Sequence, residues 1–276
     1  MYDVSYSYLY GFFMIVELSD FFNNPSLIEI GPLKIQYYAV TWLLSAIFIY
    51  LFMKSNQIMI ELGLNHEKVN DLVFMYGLFI GSMCGGRFGY MIFYGTEQLI
   101  SNPLSLFYIW QGGLSFHGGL VGVVISFLVF SKRNNISFLR LMDGAALAMP
   151  IGLGLVRIGN FLNGELYGKE TNGDWGFIFP TDPFGLLRHP SQLYESFGEG
   201  ILLFVLLYCI NKLTKIHGVV CSSFLILYGL IRFIMKFFRQ PDSHIGYVFL
   251  ESLSMGQILC VPMIAIGFIM LFYSRK

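Results

Sequence analysis

Seven apolar runs occupy most of this chain, at Tyr37–Met53, Leu72–Tyr94, Phe116–Phe130, Leu141–Phe161, Leu193–Ile210, Val219–Phe238 and Met255–Tyr273. A bilayer's hydrocarbon core is about 30 Å thick and is crossed by roughly 20 helical residues. Within it, every backbone polar group must be satisfied inside the protein, so runs of this length read as helices. Only 12% of residues are charged and mean hydropathy is +0.64, whereas a soluble domain carries about 25% charged residues. These features predict an all-α polytopic membrane protein, a single bundle over residues 1–276 with seven transmembrane helices. No low-complexity tract or Ser/Pro linker divides it.

Loop charges set the expected orientation. Lys54, Lys68, Lys132, Arg133, Arg140, Lys212, Lys215, Arg275 and Lys276 place nine of the 17 Lys and Arg on one side. The other side has no base between Tyr94 and Phe116. The positive-inside bias then gives N-out, C-in. Tyr8–Phe22, aromatic with acids at Glu17 and Asp20 and no basic flank, reads as an interfacial helix within an N-terminal segment over 1–30, not as a cleavable signal. Cys84, Cys209, Cys221 and Cys260 lie in apolar stretches without metal-ligand spacing and read as small buried thiols. Gly77, Gly81, Gly85 and Gly89 in the second run, and Gly144, Ala148 and Gly152 in the fourth, form small-residue stripes that admit close helix packing. Pro150 is expected to bend the fourth run.

Arg87, Arg157 and Arg232 fall inside apolar runs, where an arginine costs roughly 2.5–3.5 kcal/mol at a helix centre. Residues that expensive face an interior, and three facing one cavity would form an anion site. With N-out, C-in, these arginines, His117 and Glu199 all lie in the outer half of the bilayer. A channel or alternating-access transporter spreads polar groups through the whole thickness, often over inverted repeats. The one-sided pattern favours an enzyme at the outer leaflet.

Three constellations stand out. Trp110-Gln-Gly-Gly-Leu-Ser-Phe-His117-Gly-Gly-Leu-Val-Gly122 puts a histidine among glycines at a span mouth. Such a site permits close ligand approach, and a side chain of pKa about 6.5 suits a base. Arg157-Ile-Gly-Asn160-Phe-Leu-Asn163-Gly-Glu165-Leu-Tyr-Gly168 places Arg157 and Asn160 on one helical face. A guanidinium there suits bidentate phosphate recognition, or alternatively pairs structurally with Glu165. Tyr228, Arg232, Lys236 and Arg239 form a stripe without intervening acids, which reads as an electropositive path rather than internal pairing. The segment 162–192, rich in Gly, Pro, Asp and Trp175, is expected to form a small cap on the outer side. No His-Glu-x-x-His, Gly-x-Ser-x-Gly or Walker loop occurs, which removes support from metalloprotease, serine hydrolase and nucleotide readings.

These motifs, with Gly85-Gly-Arg-Phe-Gly-Tyr90, Arg188-His-Pro-Ser-Gln-Leu-Tyr-Glu195, Tyr228-Gly-x-x-Arg232-Phe, Arg239-x-Pro-Asp242 and Met255-Gly-Gln257, run in order from about residue 31 to 262. The chain thereby resembles the prolipoprotein diacylglyceryl transferases of the bacterial inner membrane. Three positions depart from that family's pattern: Val156 for a Gly, Lys236 for a Glu, and Gln36-Tyr37-Tyr38-Ala39 for Arg-Trp-Tyr-Gly. The resemblance implies transfer of diacylglyceryl from phosphatidylglycerol to the lipobox cysteine of prolipoprotein signal peptides, releasing glycerol phosphate on the periplasmic side. It implies His117 as thiol base, with Arg157 and Arg232 acting on the phosphate. Asn160, Asn163, Arg87, Arg239, Glu165 and Tyr38 would bind phosphatidylglycerol. No metal or other cofactor is expected, and no nucleic-acid partner; other contacts are with membrane lipids. Another outer-leaflet phospholipid transferase and a non-catalytic lipid transporter or scaffold remain the alternatives.

Overall fold

The computed structural model describes residues 26–30, 33–173, 175–241, 247–249 and 253–275. The interfacial helix expected over Tyr8–Phe22 lies outside the described residues, as does Asp242 of the arginine motif. A hairpin of β1 (Ser26–Ile30) and β2 (Leu33–Gln36), with Glu29 opposite Lys34, leads into α1 (Tyr37–Ser55). There follow α2 (Gln57–Glu61), α3 (His66–Phe93), α4 (Thr96–Ser101), α5 (Phe116–Arg133) and α6 (Phe138–Leu162). A short antiparallel pair, β3 (Phe177–Ile178) and β4 (Leu187–Arg188), precedes α7 (Ser191–Leu213). After α8 (Val219–Met235) come β5 (Tyr247–Phe249), β6 (Leu253–Ser254) and α9 (Met255–Ser274). Two long helices carry π-wound stretches, Asp71–Cys84 in α3 and Ser196–Leu202 in α7.

Among the described residues, six helices, α1, α3, α5, α6, α7 and α9, are long and apolar enough to cross a membrane. The 17-residue α8 is also apolar but shorter, reaching about 26 Å at 1.5 Å per residue. The chain is therefore a mostly helical, multi-pass membrane protein.

The residues gather into two compact units. The first contains the described residues up to Ile47 and those of Pro150–Cys209 and Phe224–Ile269; the second contains Phe48–Met149, Ile210–Ser223 and the described residues from Met270 on. In the second unit the glycine stripe of α3 meets glycines of α5 in an antiparallel pair. A Cβ on Gly85 would lie 2.9 Å from the Gly122 Cα, and one on Gly89 would lie 2.7 Å from the Gly118 Cα. Gly81 abuts the Val123 backbone in the same way. Backbone cannot retreat as a side chain can, so these positions require glycine. This is the packing role expected of a small-residue stripe.

The stripe in α6 is divided. Gly144 packs on Ile58 and Met59, whereas the Gly152 carbonyl accepts from Ser45 Oγ at 3.2 Å. The four thiols are not uniformly buried, because Cys84 and Cys209 are exposed while Cys221 and Cys260 are buried. A membrane helix turns apolar side chains outward, so an apolar run does not by itself imply burial. Asp143 of α6 accepts backbone N–H bonds from Gly218 and Cys221, both at 2.8 Å. It thus caps the start of α8.

Candidate functional site

The first unit gathers charge where three helices come together. Position 198 of α7 is glycine, and a Cβ there would meet Ile231 at 2.9 Å and Met235 at 3.0 Å on α8. Position 200 faces α6, where a Cβ would lie 2.9 Å from the Gly154 Cα. The Ser196 hydroxyl donates to the Gly154 carbonyl at 3.0 Å. Small residues thus draw α6 and α8 tightly against the π-wound part of α7, and Glu199 is carried between them. Glu195, four residues earlier, shares its face.

Both carboxylates are buried, and four cations surround them. Arg157 Nε lies 2.9 Å from Glu195 Oε2, and its Nη2 lies 3.4 Å from Glu199 Oε2. Arg232 Nη1 is 3.4 Å from Glu199 Oε1 and donates to the Tyr228 hydroxyl at 3.1 Å. Lys236 Nζ and Arg239 Nη1 approach Glu195 Oε1 at 3.5 and 3.7 Å. With both carboxylates ionised, four positive charges less two negative leave a formal excess of +2 over these six side chains. Removing an ion from water costs several kcal/mol even after relaxation, so an excess of this kind favours an arriving anion.

Polar amides extend the cluster. Arg157 Nη1 donates to Asn160 Oδ1 at 3.4 Å, and Asn160 Nδ2 donates to Glu165 Oε1 at 2.7 Å. Gln192 Nε2 holds the Glu165 carbonyl at 2.7 Å. The Oδ1 of Asn163 and the Oε1 of Gln192 are buried without a hydrogen bond among the described residues. Each is an open acceptor for a hydroxyl. Helix α6 ends in the expected place: Gly164, at φ +65°, donates to the Phe161 carbonyl, and Glu165 N–H turns back to that of Asn160. Such a left-handed terminus favours glycine. The Tyr38 backbone abuts Gly159, where a Cβ would lie 3.4 Å from the Tyr38 Cα, beside Arg157 in sequence.

The segment 162–192 forms a small folded cap. Phe161, Phe177 and Phe179 make its apolar core with Leu162, Tyr167 and Leu193. Asp182 grips Arg188 bidentately, at 2.6 Å to Nε and 3.0 Å to Nη2. That guanidinium hydrogen bond, helped by the N–H groups of Leu186 and Phe184, holds the Asp182 carboxyl below its usual range. Backbone bonds from Lys169 N to Phe238 O at 2.8 Å and from Gln240 N to Tyr167 O at 3.2 Å tie the cap to the strip between Lys236 and Arg239.

One sequence expectation needs correction, one alternative is set aside, and Arg87 is found bonded to loop carbonyls. The base stripe of α8 does not run free of acids, because Glu195 and Glu199 from another helix pair with it. Arg157 pairs with those two glutamates rather than with Glu165. Arg87 belongs to the second unit and its donors are taken by loop carbonyls. Its Nη2 reaches Ser105 O at 2.6 Å, Nη1 reaches Gly112 O at 2.5 Å and Nε reaches Leu106 O at 3.3 Å. A buried guanidinium bonded to these carbonyls pins the loop that carries them. His117 is also in the second unit, exposed in the first turn of α5 with its ring edge-on to Phe116. Glu195 and Glu199 are the residues that sequence reasoning left out of the site. Their signal was two acids four apart at the outer end of an apolar run.

Fold and cluster together define a class: a multi-pass helical membrane protein with a buried, cation-rich polar site. A family model described as prolipoprotein diacylglyceryl transferase matches residues 25–273. The chain is 44% identical over 257 residues to the phosphatidylglycerol–prolipoprotein diacylglyceryl transferase of Pseudomonas entomophila, covering 92% of this chain and 95% of that protein. It is 45% identical over 257 residues to the enzyme of that name from Pseudomonas putida strain F1, with the same coverages. A third, from Ectopseudomonas mendocina, is 42% identical over 253 residues, 92% of this chain and 94% of the relative. The chain belongs to the prolipoprotein diacylglyceryl transferase family.

Proposed function

We propose that this protein transfers the diacylglyceryl group of phosphatidylglycerol to the lipobox cysteine thiol of prolipoprotein signal peptides, as its relatives' names describe for phosphatidylglycerol and prolipoprotein. The observation that carries the reading is the formal +2 excess around two buried glutamates. A phosphodiester carries one negative charge. In the transfer, the thiolate sulfur bonds to the glyceryl carbon, the carbon–oxygen bond to phosphate breaks, and its electron pair stays on the phosphate oxygen. The leaving glycerol phosphate therefore gains charge as the reaction proceeds. Cations preorganised around it stabilise that change more than they stabilise the bound substrate.

Arg157 and Arg232 take the phosphate in this scheme. Asn160, Asn163, Glu165 and Arg239 line its approach, and the orphaned Asn163 oxygen accepts from a glycerol hydroxyl. Tyr38, at the start of α1, completes the proposed lipid-binding set. His117, exposed and without a hydrogen-bond partner among the described residues, accepts the thiol proton. A free thiol of pKa about 8.5 is mostly protonated at neutral pH, so a base has work to do.

The protein sits in the bacterial inner membrane with seven crossings, the shorter α8 added to the six long helices, N-out and C-in, with the cap periplasmic. Single cysteines placed in a background without native cysteines test this arrangement. An impermeant maleimide should label the cap at Lys169–Arg188 and not the 132–135 loop; the reverse pattern would overturn the orientation.

The function is tested by incubating detergent-purified protein with phosphatidylglycerol labelled in its acyl chains and a lipobox peptide. Label on the cysteine peptide but not on its Ser variant supports the reading. Label on another acceptor indicates a different phospholipid transferase. Bound lipid without transfer indicates a scaffold.

A further inference from the structure

Lys236 is the member of the cluster that departs from the family pattern, where a glutamate is expected. It is well buried, its side chain only 8% exposed, and its ammonium is directed at Glu195 Oε1, 3.5 Å away. Its stem lies along the start of α9, where a Cβ on Gly256 would come within 3.2 Å of the Lys236 Cε. A glutamate in this place would make three cations face three carboxylates. With lysine, the same six side chains carry a formal +2.

We propose that Lys236 is a specificity-determining residue that matches this site to a doubly charged phosphate monoester over a singly charged phosphodiester. The assignment rests on the transfer reaction given above, which converts one into the other. Phosphatidylglycerol enters as a diester of charge −1. Its attack by a thiolate, also −1, leaves a neutral thioether and a glycerol phosphate of charge −2, so charge balances at the phosphate. Lys236 acts in two ways. It adds one positive charge where a family glutamate would add a negative one. It also shares the Glu195 carboxylate with Arg157, whose Nε lies 2.9 Å from it, so that Arg157 is the freer to turn toward phosphate. Binding should therefore strengthen as the ligand gains its second charge, which for a phosphate monoester happens near about pH 6.

The charged and titratable groups facing Lys236 among the described residues are Glu195 and Glu199 of α7, Arg157 of α6, Arg232 of α8, Arg239, and the Cys260 thiol of α9. All of them are shared by wild type and variants.

The test uses full-length protein in detergent, with glycerol 1-phosphate and its methyl diester as probes in calorimetric titrations from about pH 5 to about pH 7.5. Wild type should prefer the monoester by about tenfold at the upper end, a preference that fades toward the lower end, since a charge-assisted hydrogen bond is worth about tenfold or more in affinity. Lys236→Gln should lose the preference, Lys236→Arg should keep it, and Lys236→Glu should favour the diester. A Gln variant that retains the preference, or an Arg variant that loses it, overturns the assignment. A wild type with no preference does so without reference to any variant. Transfer from labelled phosphatidylglycerol by the same preparation separates the two levels. Transfer without monoester preference sinks the Lys236 proposal alone, whereas no transfer sinks the function on which it rests.

Discussion

Glu195 holds the cluster together, and its removal is the most informative stability experiment. Its carboxylate has Arg157 at 2.9 Å, Lys236 at 3.5 Å and Arg239 at 3.7 Å. At an effective dielectric near 20, a unit charge pair at about 4 Å attracts by roughly 4 kcal/mol. Burying both ions costs several kcal/mol each, so an intact pair is close to neutral overall. Taking away one partner is different, because the desolvation already incurred by the others is no longer offset. Glu195→Gln leaves four cations with Glu199 alone, a formal +3, and should cost about 3–5 kcal/mol. For a chain of this size that lowers Tm by on the order of 10 °C. Thermal unfolding in a mild detergent, followed by circular dichroism, measures it. Lys236→Met in the same background should recover part of the loss, with a coupling of about 0.5–3 kcal/mol. A Glu195→Gln protein that melts within about 2 °C of wild type, or a double variant no better than the single, would refute the pairing argument.

Acid should loosen the cap. Arg188 depresses the Asp182 carboxyl, so its stabilisation is fully present above the unfolded value of about 3.9 and disappears as pH falls through the lower folded value. Limited proteolysis of segment 162–192 should be flat from about pH 5 to 8 and rise below about pH 4, and Asp182→Asn should bring that sensitivity to neutral pH. Gly89→Val must push α3 from α5, since the nearest atom to its Cβ is the Gly118 Cα at 2.7 Å. Its yield in membranes should drop well below that of Gly86→Ala on the same helix, where a Cβ comes no nearer than 3.4 Å to any neighbour. His117→Gln should lower turnover by about 10²–10⁴, with partial recovery at high pH as the peptide thiol ionises unaided. Near-normal turnover at neutral pH would remove His117 from the mechanism.

The helices were legible because length and apolarity decide them: the expected runs and the observed α1, α3, α5, α6, α7, α8 and α9 coincide to within a few residues at most ends. The start of the second run's helix at His66 was hidden by the charged Glu67, Lys68 and Asp71 of its first turns. Arg157 and Asn160 stood out as a polar pair at a span's end, and the structure brings them together. The pairing across helices was not legible. Which acid meets which base depends on glycines 154, 198 and 200 setting the approach of α6, α7 and α8, and a one-dimensional pattern holds no such distances. Arg87 shows the same limit. A charge in an apolar run signals an interior partner, but not whether that partner is a ligand or the carbonyls of residues 105–113. The bidentate Asp182–Arg188 pair was likewise hidden, because loop residues six apart have no fixed geometry until the cap closes around them.

The central claim is that a guanidinium at position 157 grips the phosphate of phosphatidylglycerol while the diacylglyceryl group leaves. Arg157→Lys keeps the charge but loses the planar fork that reaches Glu195, Glu199 and Asn160 together. Transfer of label from phosphatidylglycerol to a lipobox peptide is the direct measurement, made on variant and wild type at matched amounts of folded protein. The account predicts that the Lys variant binds phosphatidylglycerol about ten- to hundredfold more weakly and transfers almost no label. A well-folded Lys variant with transfer near the wild-type level would contradict it.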